Sequence, residues 1–159
     1  MSSEVNPSNL FPFLIANITR MYSVEMDRRL REAGLTLSHS QWRVIAYLYY
    51  EDGQFQSQLA ELMMMEKAPL GTLIDKLEAS GYISRRPDPN DRRLKRVFIT
   101  SQGRELFPLL ERESRELQSI GMHNWDDDKK DLLLALLTDI RSNISQHRDN
   151  KSKDSASAA

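Results

Sequence analysis

Six cations crowd one short stretch of this chain: Arg85, Arg86, Arg92, Arg93, Lys95 and Arg96 fall within residues 82 to 96, against only Asp88 and Asp91. The whole chain has a formal net charge of -1, so the remainder carries five excess negative charges. Positive charge is therefore placed rather than spread, as in a surface built to meet phosphates. Arg92 and Arg93 stand beside the proline-stiffened turn Pro87-Asp88-Pro89-Asn90-Asp91. A guanidinium carried on such a tip suits a narrow minor groove, where negative potential is enhanced. Asp91 lies two residues from Arg93, close enough for its carboxylate to hold the guanidinium in one orientation and reduce the entropy lost on binding.

A second set of residues suits the same partner. Lys67, Pro69, Gly71, Thr72, Asp75 and Lys76 occupy the polar side of a helical run whose apolar positions are Leu70, Leu73, Ile74 and Leu77. Thr72 suits a base acceptor or a thymine methyl, and the two lysines suit guanine or phosphate. Pro69 sits in the first turn, where a missing N–H costs nothing.

Other chemistries lack their residues. There is no cysteine, so no disulfide, thiolate ligand or thiol nucleophile is available. The three histidines, His39, His123 and His147, are too far apart for a helical metal site, and no resident cofactor is expected. No Gly-x-Ser-x-Gly elbow, phosphate loop or His-Glu-x-x-His occurs, which argues against an enzyme.

These residues need a scaffold, and 159 residues with 40% apolar and 28% charged side chains suffice for one globular domain. No apolar run reaches membrane-spanning length and the N-terminus lacks a secretion signal, so a cytoplasmic protein with no membrane partner is expected. Phe11, Leu14, Ile15, Ile18, Met21, Tyr22, Met26 and Leu30 repeat at helical spacing, predicting a helix from Ser8 to about Ala33 that Gly34 stops. Ser38-His39-Ser40-Gln41 fits a capping box opening a second helix. Two short helices follow, over 56–63 and 69–79, with the Met63-Met64-Met65 run as core filler at their corner. Gly81 suits a left-handed helix cap. The period then changes: residues 82–86 and 94–100 flank the turn as a β-hairpin, before the helical period returns up to Gly121. Asp126-Asp127-Asp128 opens a last helix, and its Leu132, Leu133, Leu134, Leu136, Leu137, Ile140 and Ile144 make an apolar surface wider than one core-facing stripe. The polar tail from Arg148 to Ala159 is expected to be disordered.

The expected fold class is mainly α with a small β-hairpin wing: a winged helix-turn-helix domain plus a helical dimerisation domain. Residues 8–33 and 104–147 would supply the dimerisation helices and residues 36–103 the DNA-binding domain. A winged-helix module that binds protein partners without reading DNA is the alternative.

Several spaced elements make the sequence recognisable. Gln58-Leu59-Ala60-Glu61-Leu62, Leu70 with Ile74-Asp75-Lys76-Leu77-Glu78, Gly81-Tyr82-Ile83-Ser84-Arg85, Asp91-Arg92-Arg93, and Arg96-Val97-Phe98-Ile99-Thr100 with Gly103 resemble the MarR family of bacterial transcription regulators. Leu35-Thr36-Leu37 followed by Gln41 and Trp42 also looks like that family's entry into its second helix. The likeness covers roughly residues 10 to 147. It implies a homodimer that binds double-stranded DNA at a pseudo-palindrome, with Arg93 as the minor-groove arginine and Asp91 as its orienting partner. It also implies a cleft for a small aromatic or phenolic effector, for which the candidates are Asn17, Arg20, Met21, His39, Trp42 and Arg43. An aromatic anchor with an arginine suits an aromatic carboxylate. Two positions depart from the pattern: Thr72 stands where SlyA-like members often carry a base-reading arginine, and Met64 replaces a small residue in the turn.

Overall fold

The computed structural model describes residues 7–157. After a single 3-10 turn at Pro7–Asn9, the elements are α1 (Phe11–Glu32), α2 (His39–Tyr50), β1 (Gln54–Phe55), α3 (Gln56–Met63), α4 (Lys67–Ala79), β2 (Ile83–Pro87), β3 (Lys95–Ile99), α5 (Ser101–Gly121) and α6 (Asp127–Ser157). The expected order of four helices, a hairpin and two helices holds. The chain forms two compact units, one reaching Gln118 and one beginning at Ser119.

In the first unit, Met26 and Leu30 of α1 share a core with Ile45 and Leu48 of α2, Leu59 of α3, Leu70, Ile74 and Leu77 of α4, Ile83 and Val97 of the sheet and Leu110 of α5. All are 2% exposed or less, and each such side chain contributes about 1.5–3 kcal/mol of transfer free energy. The termini form as their residues dictate. Gln41 N–H donates to Ser38 Oγ at 3.2 Å and Ser38 N–H donates to Gln41 Oε1 at 2.9 Å, completing the capping box of α2. Gly81 has φ +78° beyond the end of α4. The first half of α1 keeps Phe11, Phe13, Leu14, Ile18 and Met21 exposed.

The sheet has three strands rather than the two of a hairpin. Its order is β1-β3-β2, antiparallel throughout, with Gln54 opposite Val97 and Ile83 opposite Ile99. At two residues, β1 is too short to leave a period. It is set instead by Asp52, whose Oδ1 accepts from Gly53 N–H and Ile99 N–H, both at 2.9 Å.

The start of α5 accounts for the Thr100 and Gly103 pair. Thr100 Oγ1 donates to the Gly81 carbonyl at 2.7 Å and accepts from Gly103 N–H at 3.1 Å, fastening α5 to the end of α4. A side chain at Gly103 would place its Cβ 2.3 Å from the Tyr82 carbonyl oxygen, so only glycine fits that approach.

Two expectations need correction. Met63 is buried, but Met64 is 70% exposed at φ 53°, because the chain must turn left-handed to leave α3; it is not core filler. In the second unit, α6 continues through Ser157, so the expected disordered tail does not hold over 148–157. That segment has no glycine or proline, and a helix already nucleated over the leucine-rich part extends at little cost. Ala158 and Ala159 lie outside the described residues. Leu132, Leu134, Leu136, Leu137 and Ile144 of α6 are exposed.

Candidate nucleic-acid interface

Burial of Leu70, Ile74 and Leu77 fixes how α4 is rolled, and so which residues it presents. Lys67, Ala68, Pro69, Thr72, Asp75 and Lys76 are exposed, with Gly71 half-buried among them. Thr72 Oγ1 donates to the Ala68 carbonyl at 3.3 Å, which spends the hydroxyl hydrogen within the helix. Gly71 lies inside the helix, where glycine costs about 1 kcal/mol relative to alanine.

The six hairpin cations divide into two roles. Arg85 is structural: its guanidinium reaches Glu78 Oε2 at 2.5 Å and Asp75 Oδ1 at 2.8 Å, and its N–H donates to Glu78 Oε1 at 2.8 Å. Asp75, acidic on an otherwise basic face, thus shares Arg85 with Glu78. Arg96 is structural too: Nε donates to Asp88 Oδ2 at 2.5 Å, another nitrogen to the Gly53 carbonyl at 3.2 Å, and the guanidinium lies 4.2 Å from the Phe55 ring centre. Arg86, Arg92, Arg93 and Lys95 remain exposed, Arg86 resting 4.8 Å above the Phe98 ring.

At the tip, Asp88 is 3% exposed and organises the turn, its Oδ1 accepting from Asn90 N–H at 2.8 Å and Asp91 N–H at 3.0 Å. Asp91 in turn clamps Arg93. Its Oδ1 accepts from Arg93 N–H at 3.0 Å and Nε at 3.1 Å, and its Oδ2 from a terminal nitrogen at 3.1 Å, while the Arg93 side chain stays 90% exposed. A bidentate pair fixes a guanidinium plane that would otherwise swing on a long stem. This is the arrangement expected from the two-residue spacing.

These contacts lower three carboxylates. The Arg96 hydrogen bond and then the Asn90 and Asp91 amides hold Asp88 below its ordinary value, the Arg93 side chain and amide lower Asp91, and Arg85 lowers Glu78. A carboxylate lowered in the fold stabilises it above the ordinary value, near 4, and loses that contribution as pH falls through the lowered one. The thermal midpoint is therefore expected to be flat around neutrality and to drop below about pH 4. Asp88→Asn should show a shallower acid slope in the same series; a slope parallel to the wild type would exclude Asp88 as a contributor.

No pattern in the sequence marks Asp52, Glu78, Arg85, Asp88 or Arg96 for these roles. The one signal for Asp88 and Arg96 is their placement on either side of the hairpin turn.

The effector candidates separate. Trp42 and Arg43 line a groove of about 510 Å³ together with Ala46, Tyr47, Tyr50, Glu51 and Leu62. Trp42 is only 8% exposed and packs on Phe107 with ring centres 5.6 Å apart. Asn17, Arg20, Met21 and His39 do not line that groove. The first three are exposed along α1. His39 packs against α1, with Nδ1 3.0 Å from Ser23 Oγ and its ring edge on Tyr22. Burial, then the nearby Arg43, push its pKa down, so it is neutral at pH 7. Among the described residues no cluster suits a metal ion and no helix is long and apolar enough to cross a membrane.

Residues 37–95 match the MarR family model. The chain is 30% identical over 110 residues to the uncharacterized HTH-type transcriptional regulator YybA of Bacillus subtilis (strain 168), covering 69% of this chain and 73% of that protein. The fold is shared with the crystal structure of MarR at a TM-score of 0.81 and 22% identity, over 93% of this chain and 99% of that one. It is also shared with MepR of S. aureus in its DNA complex, at a TM-score of 0.73 and 21% identity, over 84% and 98%. A wing carrying a clamped arginine beside a short exposed helix, on a chain matched in this way, belongs to the MarR family, whose members are transcriptional regulators and not enzymes.

Proposed function

We propose that the protein is a sequence-specific DNA-binding regulator, acting as a repressor in the cytoplasm. It works as a homodimer on a pseudo-palindromic operator. The observation that carries this reading is the exposed Arg93 guanidinium held by Asp91 at the wing tip, a cation ordered in advance of any partner. The α4 face, with Lys67, Pro69, Gly71, Thr72 and Lys76, enters the major groove, and Arg86, Arg92 and Lys95 meet phosphates. Residues 36–103 supply this reader. The exposed apolar residues of α1 and α6 support dimerisation through residues 8–33 and 104–147, since a monomer rarely leaves so many uncovered. Two readers about 34 Å apart would match one turn of duplex. The Trp42 and Arg43 groove supports an aromatic or phenolic effector, whose binding alters the spacing of the readers.

Fluorescence anisotropy on the DNA upstream of the protein's own gene, with a shuffled duplex beside it, tests the reading. At about 0.15 M salt we expect a Kd of ~10 nM and at least a ~1,000-fold preference. The logarithm of affinity should fall against the logarithm of salt with a slope of about -0.9 per phosphate met. Weak, equal binding to both duplexes would leave the wing as a source of charge alone and favour a module for protein partners.

A further inference from the structure

Of the six glycines in the chain, Gly34, Gly53 and Gly81 have positive φ, Gly103 is pressed against the Tyr82 carbonyl, and Gly121 is the last residue of α5. Gly71 has none of these reasons to be glycine. It is the fifth residue of the 13-residue α4, its backbone is not in the left-handed region, and a Cβ built on it meets nothing within 4 Å. Inside the protein, alanine would fit there and favour the helix. The position therefore weakens the fold with no return from the fold, which points to a body outside the chain that needs the space.

What that body is follows from the chemistry around the gap. Ala68 is one turn before Gly71 and Thr72 directly after it, and the Thr72 hydroxyl is turned to the Ala68 carbonyl. Backbone groups in mid-helix are spent on one another. Asp75, one turn further on, is paired with Arg85. The centre of the face thus offers methyl groups and a missing side chain, and its one hydroxyl has spent its hydrogen within the helix, so among the side chains at this point none donates to a base. The one apolar group on a major-groove base edge is the C5 methyl of thymine. Resting on the DNA-reading function proposed above, we infer that Gly71 is a specificity-determining notch in α4 that seats a thymine methyl between the Ala68 and Thr72 methyls. Lys67 and Lys76 would hold the helix to the flanking phosphates.

The test begins with duplexes selected from a random 30-base-pair library by the wild-type protein. Each thymidine in the selected duplex is replaced singly by deoxyuridine, which removes only the methyl group, and binding is compared for wild type and Gly71→Ala. We expect Gly71→Ala to raise the thermal midpoint, by about 3 °C, yet to bind the selected duplex about tenfold more weakly while keeping its affinity for shuffled DNA. One thymidine per half-site should lose about fivefold on methyl removal with wild type and almost nothing with Gly71→Ala. A Gly71→Ala protein that binds the selected duplex as tightly as wild type overturns the inference, as does a wild type indifferent to every methyl. If the wild type enriches no sequence at all, the DNA-reading function itself fails and the notch falls with it.

Discussion

Replacing Arg93 by alanine is expected to weaken binding to the operator at least about fivefold while leaving the thermal midpoint unchanged. The side chain is 90% exposed and its polar partner among the described residues is Asp91, so nothing in the core depends on it. Its clamp decides why the loss should exceed that of a mobile surface cation. A free arginine gives up rotamer entropy on binding, whereas this guanidinium is already held by two hydrogen bonds that it donates to Asp91, whose Oδ1 also accepts from the Arg93 backbone N–H. Asp91→Ala offers the complementary result. It removes the clamp and a negative charge together, so affinity for shuffled DNA should rise while preference for the operator falls. Lys95→Ala, lacking any such clamp, should cost both duplexes alike and reduce the salt slope by about one. Anisotropy titrations of the three variants distinguish these patterns, and an Arg93→Ala protein with wild-type affinity would remove the wing from minor-groove reading.

Gly103→Ala should destabilise the fold more than any single wing substitution disturbs it. The new Cβ would stand 2.3 Å from the Tyr82 carbonyl oxygen and 2.8 Å from Ile99 Cγ1. The first is backbone, so α5 must shift as a body, and overpacking of this kind costs about 3 kcal/mol. Alanine's better helix propensity returns about 1 kcal/mol. The net loss of about 2 kcal/mol corresponds to a fall of roughly 6 °C in Tm for a chain of this size. The same exchange at Gly71 should act with the opposite sign, so the pair separates a glycine needed by the fold from one that is not. Thermal melts of both proteins suffice, and a Gly103→Ala protein as stable as wild type would mean that the approach of α5 to Tyr82 is not tight in solution.

Features that depend on a few neighbouring residues could be read from residue types alone. Ser38 with Gln41, the left-handed Gly81, the Asp91 and Arg93 spacing and the switch to a hairpin are of this kind, and each stands where it was expected. Features made by distant residues could not. Arg85 and Arg96 look like DNA-binding cations until the sheet brings them to Glu78, Asp88 and the Gly53 carbonyl, the last 43 residues away. Strand β1 exists only because β3 has a free edge and Asp52 can reach Ile99. In the groove, Trp42 and Arg43 carry aromatic and cationic signals of their own, whereas Tyr47, Tyr50 and Leu62 join them through the packing of α2 on α3. The α6 tail shows the reverse error, for a polar composition says that a segment cannot build a core, not that it cannot continue a helix.

The central position of β3 has a mechanical consequence. One edge of that strand is bonded to β1, which runs straight into α3, and the other to β2, which leaves α4. Asp52 joins the same strand to Arg104 of α5 at 2.6 Å. The wing therefore cannot flex against the helix pair without breaking sheet hydrogen bonds on one side or the other. Coupled in this way, the wing and α4 are expected to move as one lever. On the DNA-reading function proposed above, a signal that frees the DNA would have no need to unfold or reshape either contact; tilting the lever would lift both at once.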